Sequence, residues 1–152
     1  STKSVETVEA IRTASGVLTE SSAKTTWYRT GAEETCAHMF DMAGRAEKSI
    51  VISVPNPECL NIRKLSRVKK PVRRVLILPP TEEAEQIPRV PEGWRVWTVD
   101  SPPYLAVRDD EEIIVGGMSG DGLPFAVVSR DESYLRLYHD IVGPRLVRSR
   151  KA

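Results

Sequence analysis

Hydrophobic and polar positions along the chain follow first a helical and then a strand period. Val5, Val8, Ile11 and Leu18 recur at near-helical spacing among polar neighbours, which predicts a thin amphipathic helix over residues 5–18. A stripe this narrow can dock on a domain or pair with a second copy of itself. Ser21-Ser22 and Lys24-Thr25-Thr26 read as a connector. A broader stripe follows, with Cys36, Met39, Phe40 and Ala43 at i, i+3, i+4 and i+7 across residues 32–46. Glu33 and Glu34 in its first turn suit the positive end of the helix dipole. His38 falls opposite that stripe and is expected to meet solvent.

From residue 49 the period shortens. Ser49 to Val54 is a β-branched run closed by Pro55 and reads as a buried strand. Residues 58–69, anchored by Leu60, Leu65 and Val68, suggest a short helix. Arg74 to Leu78 is a second buried strand, stopped by Pro79-Pro80. Residues 79–93 hold four of the eleven prolines and the acidic run at 82–85, so they form a loop. Trp94 to Val99 is a third strand that turns Trp94 and Trp97 to opposite faces. One of these indoles belongs in the core; the other is free to stack on a sugar or cover a dimer seam. Leu105 to Arg108 and Ile113 to Val115 flank the acidic turn Asp109-Asp110-Glu111 as a hairpin. Residues 116–122 match neither GxGxxG nor GxxxxGK[ST] and read as a flexible turn. Phe125 to Ser129 is a further strand. A helix from about Asp131 carries Leu135, Tyr138, Ile141 and Val142 on one face, His139 at its margin and Gly143-Pro144 near its end.

The strand–helix–strand opening implies a parallel pair, and the hairpin adds antiparallel strands. The expected class is α/β, with a mixed sheet flanked by helices and preceded by the amphipathic helix. Residues 1–22 form the helix and connector, 23–147 the domain and 148–152 a basic tail.

Composition narrows this only modestly. At 152 residues, 40% hydrophobic and 28% charged, the chain is about one folded domain. Twenty-two basic against 21 acidic residues leave +1, so it is no global polycation. It has no apolar run long enough for a membrane span and no apolar core of a secretory signal near Ser1. The missing initiator Met suggests a piece excised from something longer. Cys36 and Cys59 fit a reducing cytosol better than a disulfide framework, with Cys36 as a small core residue. Nothing has zinc spacing, and no metal or cofactor is expected. Arg63, Lys64, Arg67, Lys69, Lys70, Arg73 and Arg74 lie in a stretch free of acid, a candidate anion or DNA-backbone patch, although the interleaved Leu65, Val68 and Val72 look like ordinary packing.

Residues 105–119 combine strand, acidic turn, strand and a Gly-Gly pair. The pattern resembles the second half of the phospholipase D superfamily signature. There a His, a Lys two residues on and an Asp seven residues after the His precede a hairpin turn, and a glycine pair follows. With Asp109 on the family's Asp and Gly116-Gly117 on its glycines, the His position falls on Pro102 and the Lys position on Tyr104. Proline cannot attack phosphorus, and tyrosine is a poor substitute for a fixed cation. Active relatives also need two motif copies, in one chain or across a dimer. The resemblance therefore implies the scaffold without the reaction.

A non-catalytic domain of this kind behind a helix resembles the C-terminal half of TrmB-like archaeal transcriptional regulators. GAEETCAHMFDMAGRAEKSIVISVP (31–55) looks like that family's helix-to-first-strand unit, VRRVLILPP (72–80) like its second strand, and PFAVVSRDESYLRLYHDIVGP (124–144) like its final strand and closing helix. The resemblance implies a cytoplasmic effector-binding or oligomerisation domain. It implies a homodimer and no membrane, with DNA read by a winged helix-turn-helix that this chain does not contain. It also implies a small-molecule effector such as a sugar. Candidate contacts are Tyr104, Arg108, Asp109, Ser119 and Trp97. The alternative is a phospholipase D-type phosphodiesterase or nuclease.

Overall fold

The computed structural model describes residues 26–81, 89–118 and 124–144. Strand β1 (Thr26–Thr30) leads into helix α1 (Ala32–Arg45), then β2 (Ser49–Ser53), a 3-10 turn (Pro57–Cys59) and the short helix α2 (Ile62–Ser66). Strands β3 (Arg73–Leu78), β4 (Trp94–Thr98), β5 (Tyr104–Arg108), β6 (Glu112–Met118) and β7 (Pro124–Ser129) follow. Helix α3 (Glu132–Leu137) then runs into a π-helical turn over Tyr138–Val142.

The described strands form one sheet of order β1-β7-β6-β5-β2-β3-β4. β2, β3 and β4 run parallel; β5, β6, β7 and β1 pair antiparallel. The sheet is thus mixed, as the alternation of patterns requires. The amphipathic helix expected over residues 5–18 and the basic tail 148–152 lie outside the described residues.

Side-chain alternation separates two cores. On one face α1 and α2 cover Ile50, Ile52, Leu76, Leu78, Trp94, Ala106, Ile114 and Val128. Val51, Val75, Ile77, Trp97, Leu105, Val107 and Ile113 point to the other face, where Leu135 and Tyr138 pack. Trp94 and Trp97 therefore do face opposite ways, and the Trp94 indole N–H donates to the Leu65 carbonyl at 3.0 Å, tying β4 to α2. α1 holds because Thr35, Met39, Phe40, Met42 and Ala43 line its buried side.

Four sequence expectations need correcting. Thr26 belongs to strand β1, not to a connector; its β-branched and aromatic neighbours pair with β7 from Thr26↔Ser129 to Thr30↔Phe125. Gly116, Gly117 and Met118 continue β6 instead of opening a flexible turn, because Gly116 and Gly117 pair with Ala126 and Phe125 and Met118 with Pro124. His38 is not solvent-facing: its side chain is 15% exposed and bonded inward to a carboxylate. Cys36 and Cys59 are not free thiols but a disulfide, with Cα atoms 6.0 Å apart. The sheet sets α1 and the 3-10 turn on one face and brings the two sulfurs together, a proximity that a spacing of 23 residues does not reveal.

Closing a loop of that length limits the unfolded chain by about 3 kcal/mol on the chain-entropy account. Reduction, or Cys36→Ser with Cys59→Ser, is expected to lower the thermal midpoint by roughly 6–12 °C for a domain of this size. Calorimetry with and without a phosphine reductant checks it; an unchanged midpoint would show that the bridge does not limit the unfolded state.

Candidate functional site

The acidic hairpin turn is the most heavily bonded polar point among the described residues. Asp109 and Asp110 both adopt positive φ, 53° and 54°, and the Glu111 N–H closes the turn on the Arg108 carbonyl at 2.8 Å. Short polar side chains tolerate this left-handed conformation better than most. The Asp109 carboxylate accepts from the backbone N–H groups of Glu47, Lys48 and Ser49 at 2.6–3.1 Å, and its own N–H donates to the Ser49 carbonyl at 2.8 Å. One aspartate thus fastens the β5–β6 turn to the start of β2.

Beside it lies an ion cluster. Arg108 donates from Nη1 to Asp109 at 3.1 Å and from Nε to Glu112 at 3.0 Å. Glu112, 3% exposed at its side chain, also accepts from Arg45 Nη1 at 2.8 Å and bonds His38 Nε2 at 3.0 Å. His38 and Arg45 stand seven residues apart on α1, two turns along one side, so both reach the same carboxylate. Burial opposes ionisation of Glu112, but the bonds from His38, Arg45 and Arg108 outweigh it and hold its carboxyl far below the ordinary range. Burial likewise opposes the Asp109 charge, and the three backbone donors together with Arg108 overcome it, lowering its pKa.

This geometry assigns places to the sequence-derived candidates. Arg108 and Asp109 are interior members of the cluster, with side chains 9% and 4% exposed. Tyr104 begins β5 and packs on the α1 side of the sheet, and Pro102 is buried just before it. Ser119 lies outside the described residues. Trp97 lies on the α3 side, in a cleft of about 450 Å³. Among the described four, Arg108 and Asp109 thus sit in the ion cluster, Tyr104 at the other end of β5 and Trp97 on the opposite face of the sheet. This cleft joins residues from β2, β3, β4, β5 and the π-helical turn. Its floor is Val51, Val75, Ile77 and Val107, and its rim carries Arg73, Ser49, Asp110, Tyr138 and His139. His139 Nε2 meets Asp110 at 3.1 Å, and the Tyr138 and His139 rings contact edge to face. Burial, reinforced by the Asp110 charge, raises the Tyr138 pKa against the pull of Arg73, so the phenol stays neutral. The one sequence signal for the cleft was strand alternation at Val51, Val75, Ile77 and Trp97.

The seven cations of residues 63–74 lie on and after α2 and at the start of β3. Arg63, Lys64, Arg67 and Lys70 are exposed on and after α2, while Lys69 pairs with Glu47. Arg73 and Arg74 leave β3 on opposite faces.

Glu112 and Asp109 both titrate below their ordinary values of 4.5 and 3.8. A depressed native pKa adds stability at pH above the unfolded value and loses it as pH falls toward the native one. Urea midpoints are expected to be level near neutrality and to drop progressively below about pH 4. Glu112→Gln is expected to cost about 3 kcal/mol at pH 7, because it removes the buried negative charge shared by Arg108 and Arg45 and leaves Asp109 as the other buried carboxylate on Arg108, and to flatten the acid slope. A parallel slope in that variant would place the acid sensitivity elsewhere.

No family model and no curated protein sequence matches the chain. Solved structures do. TrmBL2, an archaeal chromatin protein described as showing a novel mode of DNA binding, superposes with a TM-score of 0.61 at 15% identity, covering 99% of this chain and 66% of that one. This chain thus spans just under two thirds of that protein. NucT from Helicobacter pylori gives 0.58 at 12% identity, covering 82% of this chain and 96% of that chain. Nuc from Salmonella typhimurium, a phospholipase D family member, gives 0.54 at 11%, covering 83% and 97%. At the level of structure the chain has the phospholipase D-like α/β fold, in a form shared with a TrmB-like protein.

Proposed function

We propose that this domain is a non-catalytic effector-binding and assembly module of a cytoplasmic DNA-binding regulator. The observation that carries the reading is the pair Pro102 and Tyr104, standing where the resembled enzymes place their nucleophilic His and phosphate-binding Lys. Neither histidine of the chain is near enough to replace that imidazole. His38 bonds Glu112 and His139 bonds Asp110, both at the Arg108 end of β5. Four residues of strand, roughly 13 Å, separate that end from Tyr104. The likeness to TrmBL2 over nearly the whole chain supports the regulator reading. Among the described residues no helix is long and apolar enough to cross a membrane. The disulfide is compatible with a cytoplasmic setting in hyperthermophilic archaea, whose intracellular proteins are rich in them.

The mechanism is linkage. An effector that prefers one arrangement of two protomers shifts their spacing, and with it that of the attached winged helix-turn-helix heads, by no more than its differential affinity for the two arrangements. The homodimer is proposed to form through residues 5–18 paired with their symmetry mate, an isologous contact.

Two measurements test this. Turnover of bis(p-nitrophenyl) phosphate is expected to be absent at any pH from 5 to 9; metal-independent hydrolysis abolished by His38→Ala or His139→Ala would establish the phosphodiesterase reading instead. Light scattering of the chain lacking residues 1–22 is expected to give a monomer where the full chain gives a dimer, and a persistent dimer would move the seam onto the sheet domain.

A further inference from the structure

The α3-side cleft continues past Trp97 into a second hollow. That neighbour, about 290 Å³, is lined by Val72, Arg73, Arg74, Val75, Gly93, Arg95 and Trp97. Arg73, Val75 and Trp97 are common to both, so the two spaces meet across one arginine and one indole. They differ sharply in chemistry. The first has a valine and isoleucine floor and two aromatic side chains, Trp97 and Tyr138. The second holds three guanidinium groups, and no carboxylate belongs to its lining.

The strands explain the cations. Val75 pairs with Arg95 on adjacent parallel strands, which puts Arg95 on the cleft face, diagonal to Arg73 two residues before Val75. Arg74 starts on the opposite face and turns back over Gly93. A Cβ at that glycine would sit 2.5 Å from Nη2, and the glycine's φ of +92° is one that side chains rarely adopt. Arg74 Nη2 donates to the Lys70 carbonyl at 3.2 Å, while its Nε is buried with no partner among the described residues. Arg73 and Arg95 are both exposed, and neither makes an ion pair among the described residues. On the far rim Asp110 carries one negative charge, bonded to His139, against the three arginines that line the second hollow. Three clustered arginines, none with an ion pair among the described residues, beside a slot with an apolar floor and aromatic walls match a ligand with a flat ring at one end and a doubly charged oxyanion at the other.

We propose that the two hollows form one binding site for a nucleoside monophosphate, the base on the valine floor beside Trp97 and Tyr138 and the phosphate among Arg73, Arg95 and Arg74. This site lies on the sheet face opposite Tyr104, the position of the resembled enzymes' lysine. As an effector site it rests on the regulatory reading above; as a binding site it does not. A free nucleotide and the end of a single-stranded nucleic acid offer the same chemistry, and the proposal is for the free nucleotide.

Calorimetric titration of the full chain with AMP, GMP, UMP, adenosine and inorganic phosphate tests it. At least one nucleotide is expected to bind about tenfold or more tightly than adenosine and than phosphate, since each of those fills half the site. Arg73→Gln and Arg95→Gln, both at exposed side chains, are each expected to weaken nucleotide about tenfold; Arg95 lines only the second hollow, so Arg95→Gln is expected to leave adenosine unchanged. Trp97→Phe keeps a ring in the core and is expected to weaken nucleotide and adenosine together. Nucleotide binding no tighter than phosphate, insensitivity to Arg73→Gln, or binding confined to oligonucleotides would each overturn the proposal. Tight nucleotide binding that leaves light-scattering mass and protomer spacing unchanged would keep the site and remove its effector role.

Discussion

Two buried carboxylates anchor the domain. Asp109 gathers three successive backbone N–H groups at the entry to β2, and Glu112 gathers His38, Arg45 and Arg108. Each would be costly without its donors, because an ionised group taken out of water must recover the lost solvation inside the protein. The recovery joins elements distant in sequence. The β5–β6 turn is fastened to the α1–β2 junction, and α1 is fixed along the sheet by two of its own side chains. The antiparallel half and the parallel half meet at β2 and β5, beside this cluster.

The same arrangement bears on what the molecule can do at each end of β5. The Arg108 end is filled by the buried, mutually bonded charges of Arg108, Asp109 and Glu112. The Tyr104 end carries a buried proline and a tyrosine packed on the α1 side, and lies outside the ion cluster.

On the other face, α3 and the π-helical turn are the described helices, and Trp97, Tyr138 and Arg73 border the cleft beside them. A π turn widens the helix by one residue and is found often beside ligand sites. Here it carries Tyr138 and His139 over the strands. Toward the β1 edge the Val115–Val127–Tyr28 row runs in register across three strands, with Tyr28 74% exposed.

Local patterns along the chain specify the elements and much of their faces. β-branched runs marked β2, β3 and β7, the helical stripe marked α1, and the acidic turn between two apolar runs marked the hairpin. These depend on local periodicity and turn chemistry, which neighbours in the chain largely set. The parallel pair and the opposed tryptophans followed from the same patterns. Tertiary structure decided the rest. His38 lies off the apolar stripe and looks like a surface residue until β6 places Glu112 beside it. Cys36 and Cys59 become partners only when α1 and the 3-10 turn share a face. Arg108 and Asp109, ligand candidates in sequence, are buried against Glu112 and the backbone N–H groups of residues 47–49. All of these are pairings between segments far apart in the chain, and no local pattern specifies which distant group will meet a given charge or thiol.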